Sequence, residues 1–176
     1  HESVAVLDGG WAAWLAAGGE AETGWRDPAL SEAQAIQGTV LSGKPSMPQV
    51  DARAVLANLD ERRFTVLDAR AADRFSGAAE TLDPVGGHIP GALNRPFQDN
   101  IGPDGRFKPP ARLREEFEAL LGDRLDHGVV HQCGSGITAC HNLLAMELAG
   151  LRGSALYPGS WSEWCSEPTR PVAQGA

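Results

Sequence analysis

Residues 128–150 hold the feature that most limits the fold. A short, largely apolar run, Gly128-Val129-Val130-His131-Gln132, leads into the turn Cys133-Gly134-Ser135-Gly136 and then a strongly helical segment from Ile137 to Gly150. A run of that length is one buried strand, and a strand buried on both faces needs helices on both sides. The same alternation recurs from Pro48 onward. Gln49 to Leu59 puts Val50, Ala54, Val55 and Leu59 on one helical face, and Phe64 to Asp68 follows as a second buried strand. Pro109 to Leu121 is an amphipathic helix with Leu113, Phe117, Leu120 and Leu121 as its stripe and Gly122 as its stop. Leu144, Leu148 and Leu151 are expected to face inward from the helix that follows the cysteine turn. Leu156-Tyr157 reads as a last strand and Trp161 to Cys165 as a last short helix. The class is therefore α/β, with a parallel sheet covered on both faces. Ligands of such sheets sit beyond the carboxyl ends of the strands, which singles out the residues after Asp68 and Gln132.

Composition narrows the function. With 42% hydrophobic and 22% charged residues among 176, the chain can bury a core, and disorder throughout is excluded. Fifteen Lys+Arg against 23 Asp+Glu give a net charge of −8, and no basic run is present. A nucleic acid or an anionic membrane is thus not the expected partner. No apolar stretch reaches the roughly 18–20 residues of a membrane span, and no basic-then-apolar leader opens the sequence. The three cysteines, Cys133, Cys140 and Cys165, are odd in number and crowd one end. That pattern suits free thiols in a reducing compartment, the cytoplasm, better than a secreted disulfide framework.

The sequence starts at His rather than Met, and it repeats itself. Gly9-Gly10-Trp11-Ala12-Ala13-Trp14 returns as Gly159-Ser160-Trp161-Ser162-Glu163-Trp164, each after a short apolar run. The offset, 159 − 9 = 150 residues, is domain-sized. This predicts a tandem duplication in which residues 1–24 are the last strand and helix of a preceding domain, most of it missing. Residues 25–46, rich in Gly and Pro, are then an interdomain linker, and residues 47–176 are the second domain. Trp11, Trp14 and Leu15 would have lost their own core and should seek cover.

A cysteine at a strand-to-helix turn sits where backbone amides converge on the positive end of a helix, and both effects favour a thiolate. Gly134 and Gly136 let the loop curl. The plain alternative is a structural cysteine beside a glycine turn. Spacing separates the known chemistries. A cysteine phosphatase needs an arginine six residues on, where this chain has Ala139. A Cys-x-x-Cys redox pair is absent, because the next cysteine is Cys140. A zinc site drawn from His131, Cys133, Cys140 and His141 is disfavoured, since alternate strand residues point to opposite faces.

Cys133-Gly134-Ser135-Gly136-Ile137-Thr138-Ala139 resembles the active loop of the rhodanese superfamily, in its mercaptopyruvate sulfurtransferase branch. Asp68-Ala69-Arg70 with Arg74-Phe75, the segment Gly87-His88-Ile89-Pro90-Gly91-Ala92-Leu93-Asn94, and Leu156 to Trp164 resemble further motifs of that family, in the right order. The resemblance runs from about Val50 to Val172. It implies a three-layer fold with a central parallel sheet flanked by helices on both faces. Residues 1–24 resemble the end of the preceding, non-catalytic domain of a tandem enzyme.

Carried over, Cys133 is the nucleophile that accepts a sulfane sulfur as a persulfide, and Ser135 donates a hydrogen bond to the reacting sulfur or a substrate carbonyl. Gly134, Gly136, Ile137 and Thr138 supply backbone donors, with capping of the next helix as an alternative role for Thr138. Arg74 corresponds to the arginine that holds a donor's carboxylate or sulfonate. Asp68, Arg70 and His88 are supporting residues, structural rather than catalytic. Trp161 and Trp164 are expected in the core, Cys140 as a small buried residue, and Cys165 as unreactive. The implied partners are a small-molecule sulfur donor, a thiol or cyanide acceptor, and the missing first domain; no metal or other cofactor is implied. Neutral Gly134 and Ser135 favour mercaptopyruvate over dianionic thiosulfate. However, the second arginine usual in that branch is absent from residues 77–86, leaving Arg95 and Arg106 as substitutes. Thiosulfate transfer, and a sulfur-carrier or regulatory module with little turnover, stay open as alternatives.

Overall fold

A computed structural model of the chain describes residues 4–24 and 47–175. The predicted linker, 25–46, lies outside the described residues. The chain divides into two compact units, His1–Pro45 and Ser46–Ala176.

In the first unit the described residues carry one helix, α1 (Gly10–Ala16), with no buried residue. The strand expected at Val4–Leu7 does not form: those residues are irregular, with Val4, Val6 and Leu7 all exposed. A strand exists only through its ladder, and no described segment pairs with this one.

The second unit is a four-stranded, all-parallel sheet in the order β2-β1-β3-β4. Its strands are β1 (Thr65–Asp68), β2 (Leu93–Asn94), β3 (Val129–Gln132) and β4 (Ala155–Leu156). The helices are α2 (Ala52–Glu61), α3 (Ala72–Ser76), α4 (Pro110–Leu121), α5 (Ile137–Leu148) and α6 (Ser160–Cys165). Asp51 caps α2 by accepting from the Ala54 amide at 2.9 Å, which starts the helix three residues later than the expected Gln49. Gly122 ends α4 as expected.

Alternation along the strands sorts the core into two layers. Val66 and Val130 join Val55, Ile89, Trp161 and Trp164 on one face. Leu67 and Val129 join Leu113, Phe117, Leu121 and Met146 on the other. The inward face of α5 differs from the expected one. Ala139, Asn142, Leu143, Ala145 and Met146 are buried, whereas Leu148 is exposed. This helix is apolar almost all round, so periodicity alone could not choose its face. No helix among the described residues is long and apolar enough to cross a membrane.

Candidate active site

β1 and β3 are neighbours, and the Ala69 amide donates to the Gln132 carbonyl at 2.9 Å. The segments leaving the two strands therefore emerge side by side. After Gln132 the chain turns through Cys133–Gly136 into α5. Gly136 has φ +83°, and a Cβ there would lie 2.6 Å from the Pro158 carbonyl oxygen, so only glycine suits the turn.

The loop is held from behind by α6. The Cys133 amide donates to Ser160 Oγ at 3.1 Å, and the Trp161 and Ser162 amides donate to the Cys133 and Gly134 carbonyls at 2.9 Å each. Ser160 is fully buried at φ +54°, and its hydroxyl donates to the Tyr157 carbonyl at 2.9 Å. A non-glycine residue in that region costs about 1 kcal/mol. Here the hydroxyl satisfies the buried Cys133 amide in return. The amides of residues 134–138 have no acceptor among the described residues. Those of Ile137 and Thr138 are open first-turn donors of α5, and those of 134–136 belong to the turn that leads into it.

Cys133 is 2% exposed and lies at the floor of a cleft of about 520 Å³. Gly134, Ser135, Ile137 and Thr138 line the cleft with it, as do Arg70 and Arg74 from the segment after β1. Gly136 shapes the turn but does not line the cleft, and neither do Asp68 and His88. Asp68 and Arg70 form a buried pair, with Arg70 Nη2 2.6 Å from Asp68 Oδ2 and 2.7 Å from the Gly87 carbonyl. The Arg70 guanidinium also lies over the Trp161 ring at 4.6 Å. His88 stacks on Phe75 at 3.8 Å and bonds its carbonyl through Nδ1 at 2.9 Å, well inside the first core layer.

Arg74 is heavily partnered. Nε and Nη2 meet the Glu80 carboxylate at 2.9–3.1 Å, and Nη2 also meets Asp83 Oδ2 at 3.0 Å. Burial opposes the Arg74 charge, but the Glu80 hydrogen bond and the Glu80 and Asp83 charges outweigh it, so the guanidinium titrates above its ordinary value. Burial likewise pushes Glu80 up, yet the bonds from Arg74 and from the Leu82 and Asp83 amides win and hold it below the usual carboxylate range. Neither proposed substitute arginine reaches the cleft. Arg95 is buried against Glu116 at 2.6 Å and Asn100 at 3.1 Å, and Arg106 is not among the lining residues.

Several side chains fall elsewhere than their sequence suggests. Cys140 is exposed rather than buried, because α5 turns residues 139, 142 and 143 inward and 140 outward. Thr138 makes no capping bond; Gly136 occupies the N-cap position. Burial pushes the Cys165 thiol up, in keeping with an inert side chain. Among the described residues no group of three or more His, Cys, Asp or Glu converges to hold a metal ion. His131 is fully buried with neither ring nitrogen hydrogen-bonded, and burial pulls its titration down to about 3.

Sequence reasoning missed Ser160 and Ser162 as loop supports, although both lie in a motif it singled out. It also missed Glu80 and Asp83, whose segment it scanned only for an arginine. Loop residues six and nine positions from Arg74 leave no periodic signal.

Residues 51–167 match the family described as Rhodanese-like domain. The chain is 47% identical over 175 residues to a Pseudomonas aeruginosa protein named "Probable 3-mercaptopyruvate sulfurtransferase", covering 99% of this chain and 59% of that protein. It is 38% identical over 181 residues to the Mus musculus thiosulfate sulfurtransferase, covering 99% of this chain and 58% of that protein. The chain thus spans somewhat more than half the length of the curated relatives it matches. Among solved structures, the crystal structure of the Tum1 protein from Saccharomyces cerevisiae superposes with a TM-score of 0.63 at 26% identity, over 72% of this chain and 46% of that one.

Proposed function

The chain belongs to the rhodanese-like family, and from that premise we propose that it is a sulfurtransferase working through a Cys133 persulfide. One observation carries the reading: Cys133 follows the carboxyl end of a central strand and lines a cleft, in a turn whose backbone amides 134–138 have no acceptor among the described residues.

The chemistry follows from those groups. The Cys133 thiolate attacks the donor's sulfane sulfur, forming an Sγ–S bond. With 3-mercaptopyruvate the C–S bond breaks and its electrons leave on the carbon as the enolate of pyruvate, which takes a proton. With thiosulfate the S–S bond breaks and sulfite leaves. The outer persulfide sulfur is anionic, and the open amides of residues 134–138 stabilise it without a metal. A thiolate or cyanide acceptor then attacks that sulfur, the Sγ–S bond breaks, and the Cys133 thiolate returns. Ser135 and Arg74 both line the cleft; in this reading Ser135 donates to a substrate carbonyl and Arg74 orients a donor's anionic group.

3-Mercaptopyruvate is the favoured donor, because the loop itself carries no basic side chain. We assign residues 1–24 to the end of a second copy of this domain and residues 47–176 to the catalytic domain. A matching backbone at Gly10 and Ser160, φ +57° and +54°, supports that assignment. The cytoplasm is the proposed compartment.

Intact mass after brief incubation with each donor tests the reading. A gain of about one sulfur (~32 Da), reversed by cyanide and absent in Cys133→Ser, is the expected result. No gain from either donor rules out transfer from small molecules by this chain.

A further inference from the structure

The arginine beside the reactive loop already holds carboxylates of its own. Glu80 is a permanent partner: it takes Nε and Nη2 of Arg74 while accepting from the amides of Thr81, Leu82 and Asp83 at 2.9–3.2 Å. Its side chain is only 5% exposed, and it does not line the cleft. Asp83 is different. It lines the cleft, and its two oxygens bridge Arg74 Nη2 at 3.0 Å and Ser162 Oγ at 2.6 Å. Its own side chain is 8% exposed, while the residue before it, Leu82, is 79% exposed.

The charges at this end of the sheet are Arg70 and Arg74 against Asp68, Glu80 and Asp83, or 2 − 3 = −1 before Cys133 ionises. An anionic donor therefore meets a negative site whose Arg74 has Nε and Nη2 engaged by carboxylates, with Nη1 lying toward Gly134. Resting on the sulfur-transfer reading of Cys133, we propose that Asp83 is a specificity-determining residue of this cleft. Its carboxylate occupies Arg74 when no donor is bound, an incoming carboxylate takes that place, and the resident negative charge selects against dianionic donors.

Two alkylating reagents of near-equal size test this without any sulfur donor. Iodoacetate is an anion and iodoacetamide is neutral, and the rate of each at Cys133 is read by peptide mass, because exposed Cys140 also reacts. A change in thiolate fraction cancels in the ratio of the two rates. Asp83→Asn keeps the shape and removes one charge, so the iodoacetate-to-iodoacetamide ratio should rise about three- to tenfold. Asp83→Glu keeps the charge and should leave the ratio at the parent value. With sulfur donors, Asp83→Asn should lower KM for thiosulfate by a larger factor than for mercaptopyruvate. An unchanged ratio in Asp83→Asn overturns the proposal, as does an equal rise in Asp83→Glu. Because alkylation needs no transferable sulfur, the ratio decides the role of Asp83 even where neither donor loads the cysteine.

Discussion

Gly9–Trp14 and Gly159–Trp164 share a residue pattern and part of a local geometry, differing at the first glycine (φ +87° at Gly9, −64° at Gly159), and they meet opposite environments. The residue after the first glycine has a positive φ in both, +57° at Gly10 and +54° at Ser160. Each second tryptophan donates its indole N–H at 2.9 Å to a carbonyl six or seven residues on, Trp14 to Glu20 and Trp164 to Pro171. Burial is where they part. Trp11 and Trp14 are 61% and 42% exposed, while Trp161 and Trp164 are at 0%. Short-range geometry travels with the motif, whereas the energetic value of its tryptophans comes from what packs on them. The second copy holds the Cys133 loop through Ser160, Trp161 and Ser162.

The sharpest way to break this comparison is to remove one indole from each copy. Trp161→Ala should destabilise the protein by about 3–5 kcal/mol in urea unfolding, since it empties a closed layer of core. It should also loosen the Cys133 loop, seen as faster alkylation of Cys133 by iodoacetamide.

A pH series locates the buried polar groups in the second unit. Unfolded His131 titrates near 6.5, and in the fold it titrates near 3. Between those values the unfolded chain binds a proton that the folded chain does not, so stability falls as pH drops, by about 1.4 kcal/mol per unit. Above 6.5 the contribution vanishes. Denaturant midpoints at pH 7 and pH 5 should show this slope in the parent, and His131→Leu should leave only the smaller slope from His141, which burial also lowers. That window lies above the region where protonation of Glu80 and Glu116, both held below their ordinary value of 4.5, adds a further acid loss.

Ser160 separates hydrogen bonding from backbone strain. Ser160→Ala leaves the buried Cys133 amide unpaired and keeps the positive φ, a loss of about 1–3 kcal/mol. Ser160→Gly loses the same hydroxyl but relieves the strain, so it should be milder by about 1 kcal/mol. The smallest effect belongs to the first copy: Trp11→Ala should move the unfolding midpoint by less than about 0.5 kcal/mol. A larger loss there would mean that its helix is covered in solution.

Much of the second unit was legible because its signals are short-ranged. β1, β3, α4 and α5 lie within one or two residues of their expected bounds, since apolar runs and the Gly122 stop are local features. β2, two residues long, and α3, five, are too short for any period to register. They form because a neighbouring strand and the Phe75–His88 stack hold them. The cysteine turn was equally plain, whereas the company of Arg74 was not. Glu80 and Asp83 reach it from an irregular loop, through contacts that only the folded backbone creates.

By itself, the order of residues determined the α/β alternation, the glycine turn that presents Cys133, and the positive φ common to Gly10 and Ser160. Each depends on steric limits and hydrogen bonds within a few residues. Tertiary structure alone decided which tryptophans are buried, which face of α5 turns inward, and that Arg74 rests between two carboxylates. Those outcomes depend on surfaces far apart in the chain competing for the same neighbours and the same exclusion of water.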